Sequence, residues 1–389
     1  MNEYSIDSRT INNGDIYICL PNGESYIGEA MRKGAAGYLI MDRRQCANWM
    51  NQIYNFPSKQ MVVIGVTGTN GKTSVCHFLG QALKKLGKVP VVLGTLTSPL
   101  TTPESIEIAQ KMEAHIKSGG THFIMEVSSH AIVQHRVYGI EFDITALTNI
   151  SQDHLDYHLT FSSYKQTKLS FIQDNGRLKL YSSDFMDKPL CFQSSLKGGF
   201  TLKNLKCTQE ILRLLGYSSK EIAFSLNDAS PPPGRFEILG STSRQVVVDY
   251  AHTPDGLKNV LESAKEMVGK GSLHVVFGCG GDRDRGKRSK MARIAVDLAD
   301  TVWVTQDNPR TENPKQIVDD ILNGVSLEEQ KAIEVIHDRG KAIEKAILAM
   351  GKRDMLVIAG KGHEPYQILN DKVIDFDDRL VAMKVLSTL

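Results

Sequence analysis

The chain has 389 residues, 41% of them hydrophobic, with 46 Lys and Arg against 44 Asp and Glu and a formal net charge of +2. At about 150 residues per domain, this length points to two or three domains with sizeable cores, and the balanced charge gives no support for a nucleic-acid coat or a polybasic membrane binder. No apolar run approaches the roughly 18 residues that span a bilayer, Met1-Asn2-Glu3-Tyr4-Ser5 lacks the basic and apolar regions of a secretory signal, and six scattered cysteines without a Cys-x-x-Cys pair read as free thiols in a reducing compartment. The expectation is a cytoplasmic, multidomain enzyme that binds neither nucleic acid nor membrane.

The stretch to about Pro57 mixes short apolar runs such as Asp15-Ile16-Tyr17-Ile18-Cys19-Leu20 with turn residues, Pro21-Asn22-Gly23 among them. It is too short to bury much core alone and is expected to pack on the next part of the chain. Residues 61–66 are apolar throughout, the pattern of a strand buried on both faces. A Gly-rich turn then leads into a helical stripe of Val75, Phe78, Leu79, Leu83 and Leu86, closed by Gly87. Further apolar runs at 90–93, 123–127 and 142–147 complete a strand-helix alternation, the mark of a parallel α/β sheet. Pro231-Pro232-Pro233-Gly234 is the clearest punctuation, three residues of fixed φ before one that turns freely, and a domain boundary belongs beside it. Beyond it, strands at 245–248, 274–277, 301–304 and 355–359 alternate with helical patterns near 257–268, 288–298 and 341–350, as in a separate Rossmann-like domain. The turns after these strands sit where open α/β sheets bind ligands.

The sharpest local signal is Gly65-Val66-Thr67-Gly68-Thr69-Asn70-Gly71-Lys72-Thr73, between a buried strand and a helix. Small residues there let backbone N–H groups wrap a phosphate chain at a helix N-terminus; Lys72 would pair with terminal phosphate oxygens and the Thr73 hydroxyl would ligate Mg²⁺. Val66 stands where the general phosphate loop has its first glycine, and a plain Gly-rich turn is the alternative. Glu126 ends an apolar strand, and a carboxylate at a strand's C-terminal end on the sheet carrying the phosphate loop suits a further Mg²⁺ ligand. The segment from Thr148 to His158 is dense in Asp and His. Alone it reads as a solvated loop or helix cap; beside Lys72, Thr73 and Glu126 it reads as part of a metal site.

These motifs in order, with Glu126-Val127-Ser128-Ser129-His130, Asn149, Asp153-His154, Asp249-Tyr250-Ala251-His252-Thr253-Pro254 and Gly360-Lys361-Gly362-His363-Glu364, resemble the Mur ligases. Within that family the chain is most similar to the UDP-N-acetylmuramoyl-tripeptide synthetases, the MurE type, in the form that adds meso-diaminopimelate. The matches run from Asp7-Ser8-Arg9 to Glu364, nearly the whole chain. The resemblance implies an α/β fold of three domains: a small N-terminal domain on the acceptor's uridine side (1–57), a central P-loop ATPase with a parallel sheet (58–235), and a C-terminal Rossmann-like domain that binds the amino acid and closes on the centre (236–389). It also implies a monomer and a reaction of peptidoglycan precursor synthesis. In that reaction ATP phosphorylates the carboxylate of UDP-MurNAc-L-Ala-D-Glu, and the amine of meso-diaminopimelate attacks the acyl phosphate to leave an amide.

Carried over residue by residue, the resemblance assigns Gly68, Thr69, Asn70, Gly71, Lys72 and Thr73 to the ATP phosphates. Asn149 and Asn204 fall where the family contacts the base, although Thr201 replaces an asparagine usual beside the latter. Arg235 and His252 would approach the phosphates from the hinge and the C-terminal domain. Thr73 and Glu126 would hold one Mg²⁺, and Glu126 and His154 a second. Lys168 matches a lysine that family members carbamylate with CO₂, turning a cation into an anionic group that supports the second metal; an exposed helix lysine is the alternative. Ser8, Thr101, Thr102, Ser128, Gln134 and Arg136 fall on the acceptor side. Asp307-Asn308-Pro309-Arg310 resembles the signature of enzymes adding diaminopimelate, whose distal carboxylate suits the bidentate Arg310. Arg283 is a further carboxylate binder, and Glu364, with Gly360 nearby, would receive the distal ammonium; a purely structural Arg310 is the alternative.

The departures from the pattern gather on the acceptor side. The segment from Leu20 to Ile27 is a trimmed form of the loop that meets uridine, the segment from Gly94 to Glu104 is compressed, and Leu100 stands where an asparagine usually precedes the two threonines. Two readings are open: a compact tripeptide synthetase, or a related amide ligase of specialised metabolism whose acceptor lacks UDP-MurNAc. A third reading, a nucleotide-binding pseudoenzyme, is opposed by the intact set Lys72, Thr73, Glu126, His154 and Lys168.

Overall fold

In the computed structural model, which describes residues 3–370 and 372–389, the backbone builds three mainly parallel sheets and one small hairpin. The chain divides into two units, residues 1–150, 162–192 and 206–226 in the first, and 151–161, 193–205 and 227–389 in the second.

The first unit holds two sheets. Strands β1 (Tyr4–Ser5), β2 (Ile16–Cys19) and β3 (Gly37–Ile40) pair in parallel in that order. So small a sheet cannot bury its own faces. Ile18 instead packs with Cys46 and Met50 of the helix Arg43–Ile53 and with Ile106 and Ala109 of the helix Ser105–Lys117. The larger sheet is β4 (Val62–Thr67), β5 (Pro90–Leu93), β6 (His122–Glu126), β7 (Ile144–Leu147) and β8 (Leu178–Leu180), all parallel and ordered β5-β6-β4-β7-β8. β4 lies in the middle, which is why its residues are apolar on both faces. Because β6 and β7 flank it on opposite sides, the loops leaving β4, β6 and β7 share one edge of the sheet, the topological switch point at which such sheets bind ligands. Register sets Glu126 beside Val66, just before the Gly-rich turn.

The second unit is a six-stranded sheet of β9 (Glu237–Ser241), β10 (Arg244–Asp249), β11 (Leu273–Phe277), β12 (Thr301–Val304), β13 (Ile333–Val335) and β14 (Met355–Ala359). Its order is β13-β12-β11-β14-β10-β9, parallel except for β9. Alternation sends Val247, Val275, Phe277 and Val357 to one face, under Leu257, Leu261, Met291 and Ile317. Val246, Val248, Val276 and Ile358 point to the other, under Ala342, Ile343 and Ile347. Helices thus cover both faces, as the apolar runs require. A hairpin of β15 (Tyr366–Leu369) and β16 (Lys372–Asp375) comes next.

The expected strands are present within two residues; the run at 142–147 begins as a strand at Ile144, with Phe142 packed against the Phe171 ring. The strands β9 and β13 carry no clear signal: in β13 only Ile333 is buried, and β9 has no fully buried residue. Among the described residues no helix is long and apolar enough to cross a membrane.

Candidate active site

The first unit assembles a phosphate-binding loop between β4 and the helix Lys72–Lys85. Gly68 has φ +147°, and a Cβ there would lie 1.9 Å from Thr148 Oγ1, so both conformation and space demand glycine. The loop is held from two sides. On one, the Thr69 N–H donates to the Asn149 carbonyl (3.0 Å), the Asn70 N–H to Asn149 Oδ1 (3.0 Å), and Asn149 Nδ2 to the Asn70 carbonyl (2.9 Å), which also accepts from Thr148 Oγ1 (2.6 Å). Asn149, assigned above to the nucleotide base, here gives its carboxamide to the loop backbone and clamps it. On the other side Tyr164 and Thr69 share a hydroxyl–hydroxyl bond of 2.9 Å. Lys168 is buried rather than exposed, and its Nζ donates to the Gly68 carbonyl at 2.8 Å. Lys72 Nζ lies on the same carbonyl and on that of Thr69, each at 2.9 Å.

Glu126 emerges from β6 beside this loop and is buried. Its Oε2 accepts from Thr73 Oγ1 (2.9 Å) and Thr95 Oγ1 (3.3 Å), and its Oε1 from the Thr95 N–H (2.8 Å). A Cβ on Gly94 would come within 2.2 Å of that Oε1, so the glycine after β5 makes room for the carboxylate. Among the described residues no group of three or more His, Cys, Asp or Glu forms a metal cage. A hydroxyl and a carboxylate in contact are nevertheless a donor set that fits Mg²⁺, which keeps waters and borrows phosphate oxygens from its substrate.

The acceptor-side candidates form one patch around Glu126. Thr102 Oγ1 donates to the Glu126 carbonyl (2.8 Å) and accepts from the Ser128 N–H (2.9 Å). Thr101 Oγ1 meets Thr95 Oγ1 at 3.2 Å. Arg136 donates to the Thr102 carbonyl (2.7 Å) and to Gln134 Oε1 (2.5 Å), and pairs with Glu104 (3.1 Å), which also pairs with Arg43. Ser8 is occupied elsewhere, giving its hydroxyl to Glu29 at 2.8 Å.

In the second unit, β10 ends on Asp249, whose oxygens accept the Phe236 and Ala251 N–H groups at 2.7 Å each. Burial pushes its carboxyl up, against the pull of Arg235. The Arg235 guanidinium stacks on the Tyr250 ring at 4.3 Å. His252 Nδ1 lies 2.9 Å from the Tyr250 carbonyl, which can only accept, so the proton is on Nδ1 and Nε2 is free to accept. Burial, helped by Lys287 and opposed by Asp153, brings His252 down to about 4, so it is neutral near pH 7. Burial would raise Asp153, but His154, His252 and Lys287 together hold it below the usual carboxylate range. His154, in left-handed backbone at φ 53°, faces Asp153 at 3.4 Å. Asn204 is buried on the helix Gly199–Leu214.

The loops after β12 and β14 interlock. Asn308 Oδ1 accepts from the Ile368 N–H (2.9 Å) and Lys361 Nζ (3.2 Å), while its Nδ2 donates to Glu364 Oε2 (3.2 Å). The Asp307 carbonyl accepts from Gln367 (2.6 Å), and a Cβ on Gly360 would fall 2.6 Å from Asp307 Oδ2. Arg310, at φ 52°, donates to the Gly281 carbonyl at 2.7 Å while its backbone pairs with the β15–β16 hairpin. Arg283 is solvent-exposed and donates to the neighbouring Asp282 carbonyl at 3.4 Å, outside this cluster.

Two residues of this region carry no clear sign in the sequence. Lys361 is fully buried between Asn308 and Glu364; its place in a Gly-Lys-Gly turn is visible along the chain, its partners are not. Arg288 is fully buried too, reaching Glu312 (2.9 Å), Asp320 (2.8 Å) and the Gly280 carbonyl (3.1 Å), and so ties the loop after β11 to that after β12. An arginine opening a helix gives no sequence signal of such burial.

With this geometry in place, comparison with known proteins gives two family matches: the Mur ligase middle domain over residues 66–186 and the Mur ligase, glutamate ligase domain over residues 234–362. The chain is 36% identical to the UDP-N-acetylmuramoyl-L-alanyl-D-glutamate–2,6-diaminopimelate ligase of Prochlorococcus marinus over 482 aligned positions, covering 99% of this chain and 94% of that protein. It is likewise 36% identical to the ligase of the same name from Gloeobacter violaceus, covering 98% and 93%. An alignment of 482 positions against 389 residues places gaps within this chain. A solved diaminopimelate ligase structure superposes with a TM-score of 0.61 at 28% identity, covering all of this chain and 95% of the other. A MurF ligase of Thermotoga maritima in complex with ADP superposes at 0.67 over all of this chain and 96% of its own, at 17% identity a likeness of fold alone.

Proposed function

Since the chain belongs to the Mur ligase family and is an ATP-dependent amide-forming ligase, we propose that it joins meso-diaminopimelate to UDP-N-acetylmuramoyl-L-alanyl-D-glutamate in peptidoglycan precursor synthesis. The observation that carries this reading is the 36% identity, over 99% of the chain, to a ligase named for those two substrates.

The first unit supplies the nucleotide chemistry. The N–H groups of Gly71, Lys72 and Thr73 and the Lys72 ammonium receive the triphosphate at a helix N-terminus, on a loop shaped by Gly68, Thr69 and Asn70. Thr73 and Glu126 would hold Mg²⁺, which supplies positive charge where a triphosphate meets a carboxylate. The acceptor carboxylate, oriented by the patch around Thr102 and Arg136, attacks the γ-phosphorus; the bond to the β-phosphate oxygen breaks, leaving an acyl phosphate and ADP. The second unit supplies the amine. Asn308, Arg310 and Glu364 hold the diamino acid, whose α-amine gives up a proton and attacks the acyl carbon; the carbon–oxygen bond then breaks and phosphate leaves. With Nδ1–H on the Tyr250 carbonyl, neutral His252 offers Nε2 as a hydrogen-bond acceptor and adds no positive charge to neutralise phosphate, so the proton from the amine passes to solvent.

Carbamylation of Lys168 fits its setting. Its ammonium and that of Lys72 converge on one carbonyl, at 2.8 and 2.9 Å, so two like charges lie close together in a buried place. A carbamate keeps one N–H for that bond and replaces repulsion by attraction. We also assign the acceptor, nucleotide and amino-acid roles to residues 1–57, 58–235 and 236–389.

A second reading, a smaller acceptor without the nucleotide sugar, is favoured by the gaps and by Leu100, which is 47% exposed beside the threonine pair. The deciding experiment measures phosphate release with UDP-MurNAc-L-Ala-D-Glu or simpler γ-glutamyl carboxylates, each combined with meso-diaminopimelate or L-lysine. Turnover that needs the nucleotide sugar and diaminopimelate supports the first reading. Turnover only with the simpler acceptors overturns it in favour of the second.

A further inference from the structure

Glu364 is the carboxylate assigned to the distal ammonium of the diamino acid, and the protein has already engaged both of its oxygens. Oε2 accepts from Lys361 Nζ at 3.0 Å and from Asn308 Nδ2 at 3.2 Å; Oε1 accepts from the Tyr250 hydroxyl at 3.3 Å. The Lys361 side chain is 0% exposed, and its ammonium also reaches Asn308 Oδ1 at 3.2 Å and sits 5.4 Å from the centre of the Tyr366 ring. A fully buried cation in a turn between two glycines is costly to desolvate.

Its electrostatic consequence is specific. At 3.0 Å the ammonium cancels most of the Glu364 charge as felt by an approaching ligand, although Oε1 retains room for a further donor. Arg310, by contrast, forms no ion pair among the described residues; its guanidinium donates to the neutral Gly281 carbonyl. A ligand ending in an ammonium alone thus meets a neutralised pair and an arginine that is balanced only at longer range by Asp282, and so finds no carboxylate of its own. A ligand ending in an ammonium and a carboxylate gains the arginine.

We propose that Lys361 is a specificity-determining positioning residue: buried against Glu364 and Asn308, it withholds the Glu364 charge from diamino acids that lack a distal carboxylate. This rests on the reading that the second unit binds a diamino acid.

The test uses the full chain and its Lys361→Met and Lys361→Arg variants, with phosphate release measured against meso-diaminopimelate and against L-lysine, and melting curves for each protein. Lys361→Met is expected to lower the kcat/KM ratio of diaminopimelate to lysine by about tenfold, with a lower KM for lysine and an ATP KM within about twofold of the parent. Lys361→Arg should restore most of the ratio. An equal loss toward both amino acids, or an unchanged ratio, overturns the proposal, because a merely structural lysine would act on both alike. If Lys361→Met does not fold, Glu364→Gln decides: stripped of its counter-charge, Lys361 should raise the ratio, and a fall or no change overturns the proposal. Inactivity of the parent with both amino acids overturns the underlying reading as well, whereas a discriminating parent with an unmoved variant overturns only the role of Lys361.

Discussion

Replacing Asn149 by Ala separates the clamp from a base contact. The substitution deletes two hydrogen bonds to the Asn70 backbone, of 3.0 and 2.9 Å, and leaves the bonds from Thr148 Oγ1 and from the Thr69 N–H to the residue 149 carbonyl in place. At about 0.5–1.5 kcal/mol net for each, the loop loses about 1–3 kcal/mol of order. If that order must be restored when phosphate binds, affinity falls roughly five- to 150-fold. The assay is calorimetric titration of parent and variant with ATP, GTP and inorganic tripolyphosphate. A clamp acts on the phosphate loop, so all three ligands should weaken by a similar factor. Asn149→Asp should do worse than its retained acceptor implies, because it sets a carboxylate next to the phosphates. Should the variant lose its preference for ATP over GTP while tripolyphosphate binds as before, the clamp assignment is refuted and the base contact returns.

Gly94→Ala places a methyl group 2.2 Å from Glu126 Oε1 and must push the carboxylate off Thr73 and the Thr95 N–H; titration should show a raised Mg²⁺ requirement and melting a loss of about 1–3 kcal/mol, and an unchanged Mg²⁺ dependence would remove Glu126 from the metal's surroundings. His252 titrates near 4 in the folded protein against 6.5 ordinarily. The unfolded chain therefore binds more protons between those values, so stability should fall as pH drops through that window and level off below it. His252→Gln should flatten this part of the melting-temperature profile, and an unaltered slope would show that other groups produce it. Arg339 and Asp378 form an ion pair of 2.7 Å with both side chains 0% exposed. Arg339→Met, which leaves the aspartate buried without its partner, should cost about 3–5 kcal/mol in urea unfolding, and a double replacement of the pair by apolar residues should cost less. A single variant no worse than the double would contradict that account.

The sequence alone determined whatever depends on neighbours along the chain. The apolar runs of β4, β12 and β14, the glycines that turn the phosphate loop, and the order of the motifs are local properties, and the parallel α/β architecture results from their alternation. Tertiary structure decided which polar atoms meet. Thr73 finds Glu126 across 53 residues, Asn70 finds Asn149 across 79, and Lys168 finds the Gly68 carbonyl across 100. The motifs named most of these residues but not the bonds of Asn149 to the loop backbone, since a side chain that clamps a loop and one that contacts a base can occupy the same sequence position. The burial of Lys361 and Arg288 was hidden: it depends on Asn308 for the first and on Glu312 and Asp320 for the second, groups brought in from other loops and helices that no spacing within a single segment records.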